Sequence, residues 1–98
     1  MRKIETNHFD QEGFSGDVYV SDIENSGFDA LRISVHGRHP LKEITETIRV
    51  YLVISGTGTF TLNGTTKEVQ KDDLYIVEPG NSYEYEGDME LFEFNVIS

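Results

Sequence analysis

Three short stretches carry the side chains able to do chemistry. In TIRVYLVIS, residues 47–55, strand alternation puts Thr47, Arg49, Tyr51 and Val53 on one face. In NSYEYEG, residues 81–87, Tyr83 and Tyr85 share a face, with Glu84 and Glu86 between them. If both faces point into one interior, a guanidinium and several phenol hydroxyls converge among apolar walls. Arginine offers a planar fork of donors, so such a site suits a small carboxylate or another oxyanion. The competing arrangement pairs Arg49 with Glu43 or Glu93 and fills the interior with tyrosine rings, as small barrels commonly do. The third stretch is VHGRHP, residues 35–40, where His36 and His39 flank Gly37-Arg38. The spacing allows a metal pair, but no third ligand accompanies it. The plainer reading is a turn in which His39 is placed by Pro40.

Other patterns are weaker. GTGT at residues 56–59 lacks the Lys-Ser or Lys-Thr ending and the helix of a phosphate loop. Glu84, Glu86, Asp88 and Glu90 alternate as a solvated strand face would, and they miss the spacing of a calcium loop. His8 lies in a polar N-terminal stretch and reads as solvated. No serine has an evident Ser-His-Asp context.

Elements that would position these residues are strands. With 98 residues the chain forms one domain with one modest core. Apolar residues recur with strand period at Val18 and Val20, and at Leu31, Ile33 and Val35. Asn25-Ser26-Gly27 reads as a turn, and Gly37 to Lys42 as a loop. Thr47 to Ser55 is apolar on both faces in its second half, which marks a central strand. Gly56-Thr57-Gly58 breaks it. Asn63-Gly64, between Thr59–Leu62 and Thr65–Gln70, is a type I′ hairpin signal. Leu74 to Val77, Ser82 to Glu86 and Glu90 to Val96 follow, separated by Pro79-Gly80 and Gly87-Asp88. About eight strands with no convincing helix give an all-β sandwich or barrel, and a small jelly roll fits the length. Glu43 to Thr47 is too β-branched to be read as a helix.

Charge bounds the partners. The net charge is −10, and eight acids follow Lys71, the last basic residue. Phosphate binding needs clustered Lys and Arg, so nucleic acid and anionic membrane are not expected partners. There is no cysteine, hence neither a disulfide nor a thiolate metal site. The N-terminus has no apolar run of a signal peptide, and no stretch approaches the roughly 18 apolar residues of a membrane span. A cytoplasmic protein is the default expectation. Val50, Leu52 and Ile54 form an apolar second face on the central strand. Either the N-terminal strand or a second copy must cover it, and a homodimer is expected.

YLVISGTGTFTLNG and KDDLYIVEPGNSYEY together resemble the cupin family, over roughly residues 36–96. The Gly-x-Gly turn, the Asn-Gly hairpin, the Asp73 turn and the Pro79-Gly80 turn occur in the family's order and spacing. The resemblance implies one cupin-like domain over residues 1–98: a double-stranded β-helix, often dimeric, with a ligand cavity inside. Residues 17–36 would complete the sheet or the dimer. In metal-bearing cupins two histidines and a glutamate precede the Gly-x-Gly turn, and a third histidine follows the Pro-Gly turn. Here Arg49 stands at the glutamate's place and Tyr83 at the later histidine's. The paired histidines fall near Glu43 and Thr45, or Lys42 and Ile44. Arg49 is a permanent cation without an acceptor, so it repels a divalent ion. Tyr83 would ligate only as phenolate. No cofactor is expected.

The leading reading is a metal-independent small-molecule-binding protein that selects a small anion with Thr47, Arg49, Tyr51, Tyr83 and Tyr85. The alternatives are a metal-independent isomerase or epimerase with Tyr83 as acid or base, a metal enzyme using His36 and His39, and a structural domain with a filled barrel.

Overall fold

A computed structural model describes residue 1, residues 3–44 and residues 46–97. Thr45, one of the places where the family pattern puts a histidine, lies outside the described residues. Strands β1 (Asn7–Gln11), β2 (Phe14–Asp22), β3 (Phe28–Glu43), β4 (Thr47–Leu62), β5 (Thr65–Gln70), β6 (Leu74–Val77) and β7 (Ser82–Ile97) pair in the order β1-β2-β3-β7-β4-β5, with β6 also on β4. Every pairing is antiparallel. One helical turn, α1 (Ile23–Ser26), occupies the expected Asn25-Ser26-Gly27 turn. Among the described residues no helix is long and apolar enough to cross a membrane.

The architecture is the expected all-β jelly roll, with a different division into strands. β3, β4 and β7 each run 16 residues and bend from one wall of the roll to the other. The expected loop at Gly37 to Lys42, the break at Gly56 to Gly58 and the turn at Gly87-Asp88 all lie inside these strands. Gly37, Gly87 and Gly58 stand side by side in register across β3, β7 and β4. A Cβ on Gly87 would meet the Gly58 Cα at 2.5 Å. The glycines therefore bend the sheet at a corner instead of ending its strands. β1 is an added edge strand that periodicity did not reveal.

Both tight turns form as expected. Asn63 and Gly64 have φ of 48° and 84°, the left-handed pair of a type I′ hairpin. The Pro79-Gly80 turn is tied to the chain ahead of β4 by Gly80 N–H donating to the Ile44 carbonyl at 2.6 Å. Asn63 joins the two turns, donating from Nδ2 to Asn81 Oδ1 at 2.6 Å and accepting the Ser82 N–H at 2.9 Å.

The core lies between the walls, built from Ile33, Val35, Val53, Phe60, Val77, Met89, Leu91 and the rings of Tyr51, Tyr83 and Tyr85. The N-terminal strands extend the sheet beyond β3. They do not cover the outer face of β4, where Leu52, Leu74, Ile76 and Phe94 are 40–57% exposed.

Candidate functional site

The site is assembled from cross-strand rows. On one wall His39, Tyr85 and Phe60 lie in register across β3, β7 and β4, with Lys42 opposite Tyr83 in the next row. On the other wall Leu31, Glu93 and Tyr51 form one row, and Asp29, Asn95 and Arg49 another. The rows face each other across the roll. Between them opens a cleft of about 410 Å³, walled on its outer side by Phe9 and Gln11 of β1. His39, Lys42, Arg49, Tyr85 and Glu93 all line it.

Arg49 is anchored from below. Its Nη1 donates to the Tyr83 hydroxyl at 2.6 Å, and the Tyr83 and Tyr51 hydroxyls are 2.7 Å apart. Its guanidinium also lies 5.8 Å from the centre of the Tyr83 ring. Burial opposes the charge on Arg49, but Tyr83, Tyr51 and Glu93 outweigh it and hold the pKa above its usual value. Arg49 is thus a fixed cation, and its buried Nε has no hydrogen-bond partner among the described residues. No ion pair within 4 Å joins it to Glu43 or Glu93 among the described residues. The internal pairing considered from the sequence is absent, although the tyrosine rings do fill the barrel centre.

Of the five expected ligand residues, Arg49 and Tyr85 line the cleft. Tyr51 and Tyr83 lie fully buried behind it, and Thr47 is not among its lining residues. Burial, and then Glu93, pushes the Tyr51 and Tyr85 hydroxyls well above their ordinary pKa. Tyr83 is raised by burial, partly opposed by its bonds to Tyr51 and Arg49. All three phenols stay neutral at pH 7, which removes Tyr83 as a phenolate ligand and makes it a poor base. The Tyr85 hydroxyl is buried without a hydrogen-bond partner among the described residues.

His39 is the residue that sequence reasoning misplaced. Its ring stacks on Tyr85 at 4.3 Å and packs against Phe14 at 4.9 Å. Burial, reinforced by the charge of Lys42, pulls its pKa down from 6.5 to about 4. The imidazole is therefore neutral at pH 7, and its buried Nδ1 has no hydrogen-bond partner among the described residues. Reading Gly37 to Lys42 as a loop hid this. Continued alternation from Ile33 and Val35 through Gly37 puts His39 on the inward face. His36 falls on the opposite, exposed face, so the two histidines do not form a metal pair.

The donor set does not suit the metal of metal-bearing cupins. One histidine faces the interior, with Arg49 and Lys42 as cationic neighbours. No group of three or more His, Cys, Asp or Glu able to hold a metal occurs among the described residues. Two cations against Glu93 leave the cleft positive within a chain of net charge −10.

No family model and no curated protein matches the sequence. Solved structures do. The Streptomyces protein Pac13, described as a unique nucleoside dehydratase, superposes with a TM-score of 0.88 at 25% identity, over 99% of this chain and 82% of that one. Variants of it with a tyrosine changed to phenylalanine, or a histidine to glutamine, were solved with uridine. The Schizosaccharomyces pombe Cnp3 cupin domain matches with a TM-score of 0.79 at 22% identity, over 94% of this chain and 69% of that one. An RmlC-like cupin from Shewanella frigidimarina gives 0.80 at 16% identity, over 96% and 86%. Strand order, walls and these likenesses agree: the chain is a cupin in fold, with Arg49 and Tyr83 where the family pattern puts metal ligands.

Proposed function

We propose that this chain binds a small oxyanion-bearing molecule of nucleoside size in the cleft, and that His39 moves a proton on it. One observation carries the reading. A neutral imidazole shares a cleft of about 410 Å³ with two cations and a carboxylate. That volume is in the range of small-molecule sites. Arg49, held by Tyr83, supplies a fixed donor fork for the anion. His39 has the protonation state of a general base at neutral pH. The acid–base role considered for Tyr83 thus passes to His39. Phe9, Phe14 and Leu31 give the cleft an apolar wall on which a planar ring can lie.

The likeness to a nucleoside dehydratase supports a nucleoside-like ligand, and loss of water is a reaction that a base and nearby donors can serve. Histidine and tyrosine, the types substituted in the uridine-bound variants, are also the types that converge here. Calorimetric titration with uridine and with uridine 5′-monophosphate tests the binding. The monophosphate is expected to bind more tightly, and Arg49→Ala to remove that difference while the circular dichroism spectrum is kept. Equal affinities in the unaltered protein would refute the anion site.

The outer face carries a second, separate part of the proposal. Val50 and Leu52 lie in register with Ile76 and Leu74 on one side and with Phe94 and Phe92 on the other. We infer that a second copy of the chain, related by a two-fold axis, covers this apolar surface.

A further inference from the structure

Lys42 owes its position to a β-bulge. From His39 to Lys42, β3 advances three residues while β7 advances only from Tyr85 to Tyr83. The extra residue turns Lys42 inward, opposite Tyr83, where unbroken alternation from His39 would have turned it outward. Lys42 is exposed and lines the cleft together with Arg49, His39 and Glu93. Arg49 cannot swing away, because Tyr83 holds it. A lysine beside an apolar wall and a fixed cation gives up its proton more readily, and the free amine is a nucleophile toward carbonyl carbon.

We propose that Lys42 is an imine-forming nucleophile for a small aldehyde or ketone whose anionic group rests on Arg49. The proposal rests on the cleft being a small-molecule site, and it names the class of molecule: an anionic carbonyl compound. Burial, and then the charge of Arg49, lowers the Lys42 pKa, against a smaller opposing effect of Glu93. In the step itself the Lys42 nitrogen bonds to the carbonyl carbon. One N–H proton passes to the carbonyl oxygen, with the neutral imidazole of His39 beside Lys42 in the cleft as the base that relays it. The resulting carbinolamine loses its hydroxyl together with the second N–H proton, as water. Nothing is oxidised or reduced.

The test uses the whole chain with glyoxylate at neutral pH, cyanoborohydride to reduce any imine, and peptide mass spectrometry to locate it. Lys3, Lys67 and Lys71 are exposed and serve as internal references; the Met1 amino group is set aside. Lys42 is expected to be modified on the order of tenfold faster than these three. Propionaldehyde, which has a carbonyl but no anion, is expected to show a smaller preference. Equal rates at the four lysines overturn the proposal. Glyoxylate that shifts the NMR signals of His39 without modifying Lys42 removes the covalent step and leaves the binding site standing. Absence of both effects removes imine formation and binding of this anion together. Arg49→Met is expected to bring Lys42 down to the rate of the reference lysines. If that variant does not fold, the ratio in the unaltered protein decides alone.

Discussion

At the scale of single residues, His39 links chemistry to stability. Its pKa is about 4 in the folded chain and 6.5 as an ordinary histidine. Between these values the unfolded chain binds more protons than the folded one. Folded stability from this group is therefore complete above pH 6.5 and is lost as the pH falls toward about 4. Carboxylates titrate in part of the same window, so the comparison has to be between variants. We expect the melting temperature to fall less between pH 6.5 and 4 in His39→Gln than in the unaltered protein. Parallel pH profiles would mean that His39 takes up its proton as readily in the fold as in the unfolded chain, and would remove the effect of burial on its proton affinity. The same burial that keeps His39 neutral seats its ring in the wall of the cleft, so the acid sensitivity is a physical counterpart of the proposed site.

At the scale of elements, the glycine row at the corner decides the path of three strands. Gly37, Gly87 and Gly58 let β3, β7 and β4 approach closely where the sheet folds over. Gly87 has a φ of 141°, and its added Cβ would press on backbone, which cannot rotate away. Gly87→Ala is expected to cost at least about 3 kcal/mol in urea unfolding, through strain and displaced strands. Gly64 provides the comparison, since a Cβ there meets nothing within 4 Å and only its positive φ resists the change. Gly64→Ala is expected to cost about 1 kcal/mol. Similar costs at the two positions would show that crowding at the corner does not shape the roll. The corner also bears on the site, because β3 and β7 must bend there for His39 and Tyr85 to face Glu93 and Arg49.

At the scale of the whole molecule, charge and apolar surface are segregated. A chain of net charge −10 repels copies of itself over most of its surface. The outer face of β6, β4 and β7 offers Leu74, Ile76, Leu52 and Phe94 instead. Light scattering at micromolar concentration is expected to give twice the chain mass, and Phe94→Glu to give the single-chain mass, by placing like charges across the two-fold axis. A single-chain mass for the unaltered protein would rule out the dimer. No residue of that face lines the cleft, so Phe94→Glu should leave ligand binding intact.

Short-range chemistry is legible along the chain. Period-two alternation gave the strands of both walls and set Arg49 with Tyr51, and Tyr83 with Tyr85. Asn63-Gly64 and Pro79-Gly80 gave the turns, because each needs a backbone conformation that few residues adopt. The order of these signals was enough for the cupin resemblance. Whether a glycine ends a strand or bends it is not written locally, since that depends on the strand packed against it. The glycine row kept β3 running past Gly37 and so brought His39 inward. One extra residue at a bulge, set by pairing with β7, then turned Lys42 toward Arg49. The tyrosine layer placed Tyr51 and Tyr83 behind the cleft, where they hold Arg49 and do not meet a ligand directly. Alternation marks which face a side chain occupies; depth, neighbours and proton affinity come from the walls that close around it.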